Sequence, residues 1–351
     1  MNPSQILSLT KEAAVLVEKN RLSYANPAAV EILGSDCVGK SLLSLFGSDI
    51  AGTQASSFIA DVPVNGKACI LRVSKLENAQ IVFISPADTA PVLFNDAILF
   101  SANTALNNIS ISAAQGRTLA ESLASEEMLS VFCALTRSSH SLTRLMNNVN
   151  IVRSMAEGNL RTELHMTDLS MLYGSFIDTI RRLHPKDIFS IDLGEHITVP
   201  LDYQLAKQLL FNLISNCLIH AEGCTKVSIN LSETTDSVLL SISDNGCGIP
   251  ADQLHSVFDR YKHGFGMQQL SKGAGLGLAV VRAAAELHGG TLLIESRPNQ
   301  GTCVRVSLSK DIRGALCLKA PLEDYCGQMH SILTGLADCL PQECFSEKYT
   351  D

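Results

Sequence analysis

Asn212 and Asn216 stand four residues apart in an otherwise largely apolar run, Gln208 to Ala221. The run fits a buried helix, and a spacing of four puts both amides on one face. An amide oxygen is a neutral hard ligand suited to Mg²⁺, which keeps several waters and takes few protein ligands. Taken alone, two such asparagines are more often polar surface or a cap. A second segment, Ser243 to Pro250, carries Asp244, Gly246 and Gly248 directly after the apolar strand 238–242. A carboxylate at a strand end can accept the exocyclic amine of adenine, and glycines beyond it let the backbone turn sharply against a flat base. Taken alone, Asp-x-Gly-x-Gly is an ordinary turn more often than a site.

A third segment, Val257 to Tyr261, places Phe258 ahead of a glycine-rich polar stretch, Lys262 to Lys272, which reads as a flap. Arg260, Lys262 and Lys272 could supply charge to phosphate. A fourth, Gly273-Ala274-Gly275-Leu276-Gly277-Leu278, opens a helix over 279–288. Glycines let amides point at phosphate, and the helix N-terminus adds a favourable dipole. No strand precedes this run, which argues against a dinucleotide-binding turn.

These segments need strands and helices in alternation, and the pattern supplies them from about Asp187 to Leu308. Strands are expected at 238–242, at 291–295, and after Gly301-Thr302. Upstream, apolar residues recur at Met128, Phe132, Leu135, Leu142, Leu145, Val149 and Val152, the steps of a helical seam that Ser139 interrupts. An earlier helix over 92–114 could pair with it through a loop near Gly116. Two such helices bury little alone, so a dimeric four-helix bundle would complete them, with packing on a neighbouring domain as the alternative. Gly158 should end the long helix, and Thr167-Asp168 should cap another running to about Leu183.

Residues 1–88 read as a small mixed domain. Ala14 to Val17 and Arg21 to Tyr24 are short strands about a turn at 18–20. Asn26 to Gly34 has a cap, an early Pro and a Gly stop, and further strands fall at 68–73 and 80–85. With Gly39 to Phe46, this order resembles a PAS sensor domain; an unrelated α+β domain is the alternative. Ser85 to Pro91 looks like a linker. In the tail, Met329, Ile332, Leu333, Leu336 and Leu340 have helical spacing, ended by Pro341.

Each nucleotide-site segment is weak by itself, but their order and spacing over 201–308 closely resemble the ATP-binding domain of sensor histidine kinases, which shares its fold with the gyrase and Hsp90 ATPases. The resemblance implies that Asn216 ligates Mg²⁺ with Asn212 beside it. It implies that Asp244 reads adenine in a pocket shaped by Gly246 and Gly248, and that Phe258 anchors the lid. Gly273, Gly275 and Gly277 would cradle the triphosphate, flanked by Lys272, Leu276 and Leu278. One departure is Ile219, where the family has a basic residue; the neighbouring His220 could partly substitute. A second is the acceptor. The family phosphorylates a His on the first helix of its hairpin, and this chain has no His before His140. His140 lies on the second helix without an acidic neighbour and is a weak acceptor.

The expected fold class is therefore α+β and multidomain. A PAS-like domain (1–88) leads to a helical-hairpin dimerisation segment (89–185). An α/β sandwich of the histidine-kinase ATPase type (186–310) and a tail (311–351) follow. The expected function is a cytoplasmic, homodimeric histidine kinase homologue that binds ATP and Mg²⁺ and works in two-component signalling with a response regulator or partner kinase. Lacking the usual acceptor, it would be a regulatory pseudokinase. The alternatives are an active kinase with an atypical acceptor, an ATPase or serine kinase acting on a partner protein, and a non-enzymatic module. Composition fits: 46% hydrophobic and 18% charged residues support a real core in a chain of 351 residues. A net charge of −8 argues against nucleic-acid binding. No apolar run approaches a membrane span, and the eleven scattered cysteines contain no Cys-x-x-Cys pair.

Overall fold

The computed structural model describes residues 7, 10, 12–46, 57–65, 67–75, 79–86, 96–156, 158, 160, 162–250, 254, 276–311 and 325–346. In the N-terminal part, β1 (Ala13–Glu18) and β2 (Arg21–Ala25) form a hairpin. Lys19 and Asn20 both take positive φ at its turn, the backbone twist that suits a two-residue hairpin loop. Helix α1 (Pro27–Leu33) starts where the sequence predicts, because Asn26 caps it: its Oδ1 accepts from Ala29 N at 2.9 Å. The same oxygen accepts from Ala14 N at 3.0 Å, so the cap also fastens the helix to β1. A short helix α2 (Leu42–Phe46) precedes β3 (Ser57–Val64), β4 (Lys67–Lys75) and β5 (Ala79–Pro86). The sequence reading missed α2 and β3. The strand expected over 80–85 is β5, which also takes in Pro86 of the expected linker, and 87–91 lies outside the described residues.

Two long helices follow, α3 (Asp96–Ser122) and α4 (Glu126–Ala156). Gly116 is not near a loop as expected. It lies within α3, where a Cβ would overlap the Phe132 ring of α4, so it allows the two helices to approach closely. The turn falls instead at 123–125. The expected α4 seam is only partly buried. Val149 is covered, whereas Met128, Leu135 and Leu142 are exposed. Cys133, Thr136 and Ser139 are buried in their place, with Ser139 hydrogen-bonded to Ser110 at 2.6 Å.

Strand β6 (Leu164–Asp168) pairs with β8 (Thr198–Asp202) in a small antiparallel sheet. Asp168 caps α5 (Leu169–Leu183), accepting from Met171 N at 3.0 Å. Leu169, Leu172, Tyr173, Phe176, Ile177 and Ile180 recur at steps of three and four and join the core of the C-terminal sheet. Packing therefore puts α5 with that sheet, although a sequence boundary at 185 groups it with the hairpin. Helix α6 (Tyr203–His220) is capped by Asp202, whose Oδ1 accepts from both Gln204 N and Leu205 N at 3.0 Å. Strands β7 (Phe189–Leu193), β9 (Val227–Glu233) and β10 (Ser237–Asp244) are followed by α7 (Gly277–Leu287), β11 (Leu292–Arg297) and β12 (Gly301–Ser309). The tail supplies α8 (Tyr325–Gly335) and a short 3₁₀ turn, Gln342–Phe345.

Apart from β6 and β8, the described strands of the N- and C-terminal parts join into one ten-stranded sheet, β2-β1-β5-β4-β3-β11-β12-β10-β9-β7. The join is the antiparallel pair β3–β11, with Leu292 opposite Asp61 and Glu295 opposite Phe58. Pairing the two edges satisfies backbone groups that an open edge would leave exposed. Leu293 packs into the N-terminal core, and Ile70 packs into the C-terminal one.

Candidate nucleotide site

Helix α6 is the spine of the site. Its apolar face, including Leu209, Leu210, Phe211, Leu213 and Ile214, is buried in the core, and Phe211 meets Phe176 edge-on at 5.2 Å. Burial on that face fixes the rotation of the helix and so fixes where its polar side chains point. Asp244 ends β10, held between β9 and β12 by continuous ladders. Its Oδ1 accepts from Gly246 N at 2.9 Å and from Thr302 N at 3.3 Å. Two backbone amides thus orient the carboxylate by one oxygen, and the second oxygen can address a ligand.

The loop after Asp244 is pinned from three sides. Gly246 abuts Ala221 at the end of α6. Ile249 N donates to Ser296 Oγ at 2.7 Å, and Asn299 N donates to Cys247 O at 2.7 Å. Gly248 has φ +65, and a Cβ there would overlap the Arg297 carbonyl oxygen. Only glycine meets both conditions without strain. Thr302 and Ser296, which orient Asp244 and the loop, carried no role in the sequence reading. Gly301-Thr302 was legible as a motif; Ser296 gave no signal.

Midway along α6, Gly277 lies beside Asn212, with only 3.1 Å between a notional Cβ and Asn212 Oδ1. Helix α7 begins after Leu276, whose side chain makes no cap bond, and among the described residues no side chain accepts from the amides of its first turn. From Asn212 to Ala221 the helix rises about 13 Å. The loop after Asp244 and the start of α7 are thus separated along one rigid element. Leu278 packs on the core from the first turn of α7. Asn216 is half-buried between these two positions, and His220 is exposed at the last turn of α6. Cys217, next to Asn216, is buried; burial pushes its thiol well up, and the Asp244 charge adds to this. Phe258, Arg260, Lys262, Lys272, Gly273 and Gly275 lie outside the described residues.

Asn212 is fully buried and its amide is occupied. Its Oδ1 accepts from Arg144 Nη2 at 3.2 Å and from Asn148 Nδ2 at 3.3 Å, both on α4. Its Nδ2 donates to Gln208 O at 2.9 Å. The sequence reading did not anticipate α4 at this site, although Arg144 and Asn148 share one helix face by their spacing of four. The groups around Asp244 and the α7 N-terminus suit an adenine base and a polyphosphate. Asn212 could serve such a ligand only after α4 withdraws.

His140 does not face this site. It shares a hydrogen bond of 2.8 Å with Thr334 Oγ1 of the tail and lies against the rings of His330 and Phe345. Burial, with the neighbouring His330 and Arg117, pulls its pKa down to about 4. Helix α3 contains no histidine, and its acidic residues are Asp96 and Glu121.

Residues 201–312 match the family described as histidine kinase-, DNA gyrase B- and HSP90-like ATPase, and this segment is a domain of that class. Beyond that domain, the chain is similar to sensor histidine kinases. It is 27% identical over 188 residues to sensor histidine kinase YvrG of Bacillus subtilis, which covers 53% of this chain and 32% of YvrG. It is 30% identical over 169 residues to sensor protein KdpD of Escherichia coli, covering 47% of this chain and 18% of KdpD. The chain thus spans a third or less of these relatives' length. Among solved structures, full-length ShkA in complex with AMPPNP aligns with 60% of this chain and 44% of ShkA, with 20% identity and a TM-score of 0.48. Among the described residues, no helix is long and apolar enough to cross a membrane.

Proposed function

We propose that this chain is a histidine-kinase-like signalling protein that binds Mg-ATP and regulates a partner kinase or response regulator rather than phosphorylating itself at the usual position. The observation that carries the reading is the arrangement along α6. Asp244, with one oxygen held by backbone amides, stands near the C-terminal end of α6, and the α7 N-terminus stands beside the middle of that helix, at Asn212. In this reading Asp244 accepts the adenine amine, and Gly246 and Gly248 let the loop lie flat against the base. Asn216 holds Mg²⁺, Gly277 and the α7 amides receive phosphate, and His220 lies near the base end of α6. Mg²⁺ would supply charge neutralisation at the phosphates.

The regulatory form of the reading rests on the acceptor. Phosphoryl transfer needs an acceptor in line with the γ-phosphate. Helix α3 offers no imidazole, and His140 is engaged with Thr334. Exposed apolar side chains on the hairpin, Ile111, Leu119, Leu123 and Val131 among them, support a homodimer. The capped helix α1 on an antiparallel sheet supports the PAS-like reading of residues 1–88. The free state of the described cysteines fits a cytoplasmic setting.

Calorimetric titration of the full chain with a non-hydrolysable ATP analogue and Mg²⁺ tests the site, and micromolar binding is expected. Incubation with γ-labelled ATP then tests the regulatory form. We expect no acid-labile label on the chain, and label lost in His140→Ala would instead identify an atypical acceptor.

A further inference from the structure

The tail carries two unlike faces. One is apolar: Met329, Ile332, Leu333, Leu336 and Leu340 are buried in the same core as Leu209, Phe211 and Phe176. A face of this kind does not separate from its partners without unfolding them, so residues 329–340 move with the nucleotide domain. The other face is an edge of acceptors turned toward α4. Arg137 Nε donates to Ala337 O at 2.9 Å and Arg137 Nη2 to Asp338 O at 3.2 Å. His140 bonds Thr334, and Ser141 donates to the Asp338 carboxylate. Arg144 Nη1 donates to Asp338 Oδ2 at 3.0 Å. Residues 137, 140, 141 and 144 form one stripe along α4.

The same stripe continues to Asn148 and reaches the nucleotide site. Arg144 bridges the two regions, with Nη1 on Asp338 and Nη2 on Asn212. The seam between α4 and α6 is polar at Arg144 and Asn148, with one partly buried apolar contact from Ile151 further along α4, where the tail's other face is apolar throughout. It holds Arg144, Asn148 and Asn212, and one turn before Asn212 on α6 the buried Gln208 Oε1 has no partner among the described residues. Such a seam gains little over solvation by water and leaves one acceptor unpaid, so it can open while the apolar face stays shut.

We propose that residues 329–340 are a docking ledge, fixed to the nucleotide domain, that holds α4 over the phosphate end of the site and so competes with Mg-ATP for Asn212. The proposal rests on the nucleotide reading given above and adds its regulation. In the docked form Asn212 Oδ1 accepts from Arg144 and Asn148, and its Nδ2 donates to Gln208 O and, at 3.5 Å, to Asn148 Oδ1, so the amide has no capacity left for phosphate or for a metal-bound water. Nucleotide binding requires Arg144 and Asn148 to leave, and the Asp338–Arg144 pair sets how firmly they stay. By reciprocity, nucleotide loosens the ledge as much as the ledge weakens nucleotide.

The test uses the full chain, with Mg²⁺ and a non-hydrolysable ATP analogue titrated into wild type, Asp338→Ala and Arg144→Ala. Both variants should bind at least about fivefold tighter, the low end of ordinary coupling between sites. Saturating analogue should also speed amide exchange over residues 137–144 in the wild type. Unchanged affinity in Asp338→Ala overturns the ledge, and that variant decides alone if Arg144→Ala fails to fold, since the Asp338 side chain is 39% exposed. Weaker binding by Arg144→Ala overturns it as well, because Arg144 would then be a nucleotide ligand. Equal binding by all three, with loss in Asp244→Asn, refutes the ledge and leaves the site reading intact. Absence of binding in all three refutes both.

Discussion

Replacing Asp244 by Asn probes the base end of the site with little change of shape. In the structure Oδ1 already accepts from Gly246 N and Thr302 N. An Asn side chain keeps both bonds through its own carbonyl oxygen and presents an NH₂ where the second carboxylate oxygen stood. That NH₂ meets the adenine amine donor to donor. Losing a charge-assisted bond of about 1.5–3 kcal/mol raises Kd for an adenine nucleotide about 10- to 150-fold. Guanine carries an acceptor oxygen at the position of the adenine amine, so the variant should lose less affinity for a guanine nucleotide. The preference for adenine over guanine therefore narrows. Titration with Mg²⁺ and non-hydrolysable ATP and GTP analogues measures both constants, and the melting temperature should stay at the wild-type value. If the adenine Kd moves by less than about twofold, or if both bases lose affinity equally, Asp244 does not read the base.

Other outcomes follow from the same geometry. Gly248→Ala forces a side chain into positive φ at a cost of about 1–2 kcal/mol and against the Arg297 carbonyl, so nucleotide binding should weaken markedly, measured by the same titration. Leu336→Ala removes a fully buried tail side chain and should cost about 2–5 kcal/mol in urea unfolding; a loss near zero would mean that the tail is not part of the domain core. Acid should destabilise the folded protein. His140 is held at about 4 and His288 is also lowered, both chiefly by burial. The unfolded chain then takes up these protons first, at about 6.5. The stabilising contribution of the neutral imidazoles is complete above that pH and falls as pH drops toward 4. Scanning calorimetry between pH 7 and pH 5 should show the melting temperature falling, and His140→Gln should remove part of the slope.

Sequence alone was enough for elements whose signals are local. Asn26, Asp168 and Gly34 marked helix ends because a cap is satisfied by residues three or four away. The domain over 201–312 was legible because Asn216, Asp244 and Gly277 follow one another in the succession of helix, strand end and helix start that its family shows. Tertiary structure alone decided what depends on partners distant in the chain. Gly116 resembled a loop signal until Phe132 was found against it, and β3 had no distinctive pattern before it paired with β11. Arg144 drew no reading from the sequence, and its partners are Asp338, 194 residues away, and Asn212, 68 residues away. A hydrogen bond reports on the atoms within about 3 Å of it. No spacing along α4 could encode which side chains the fold would bring that close.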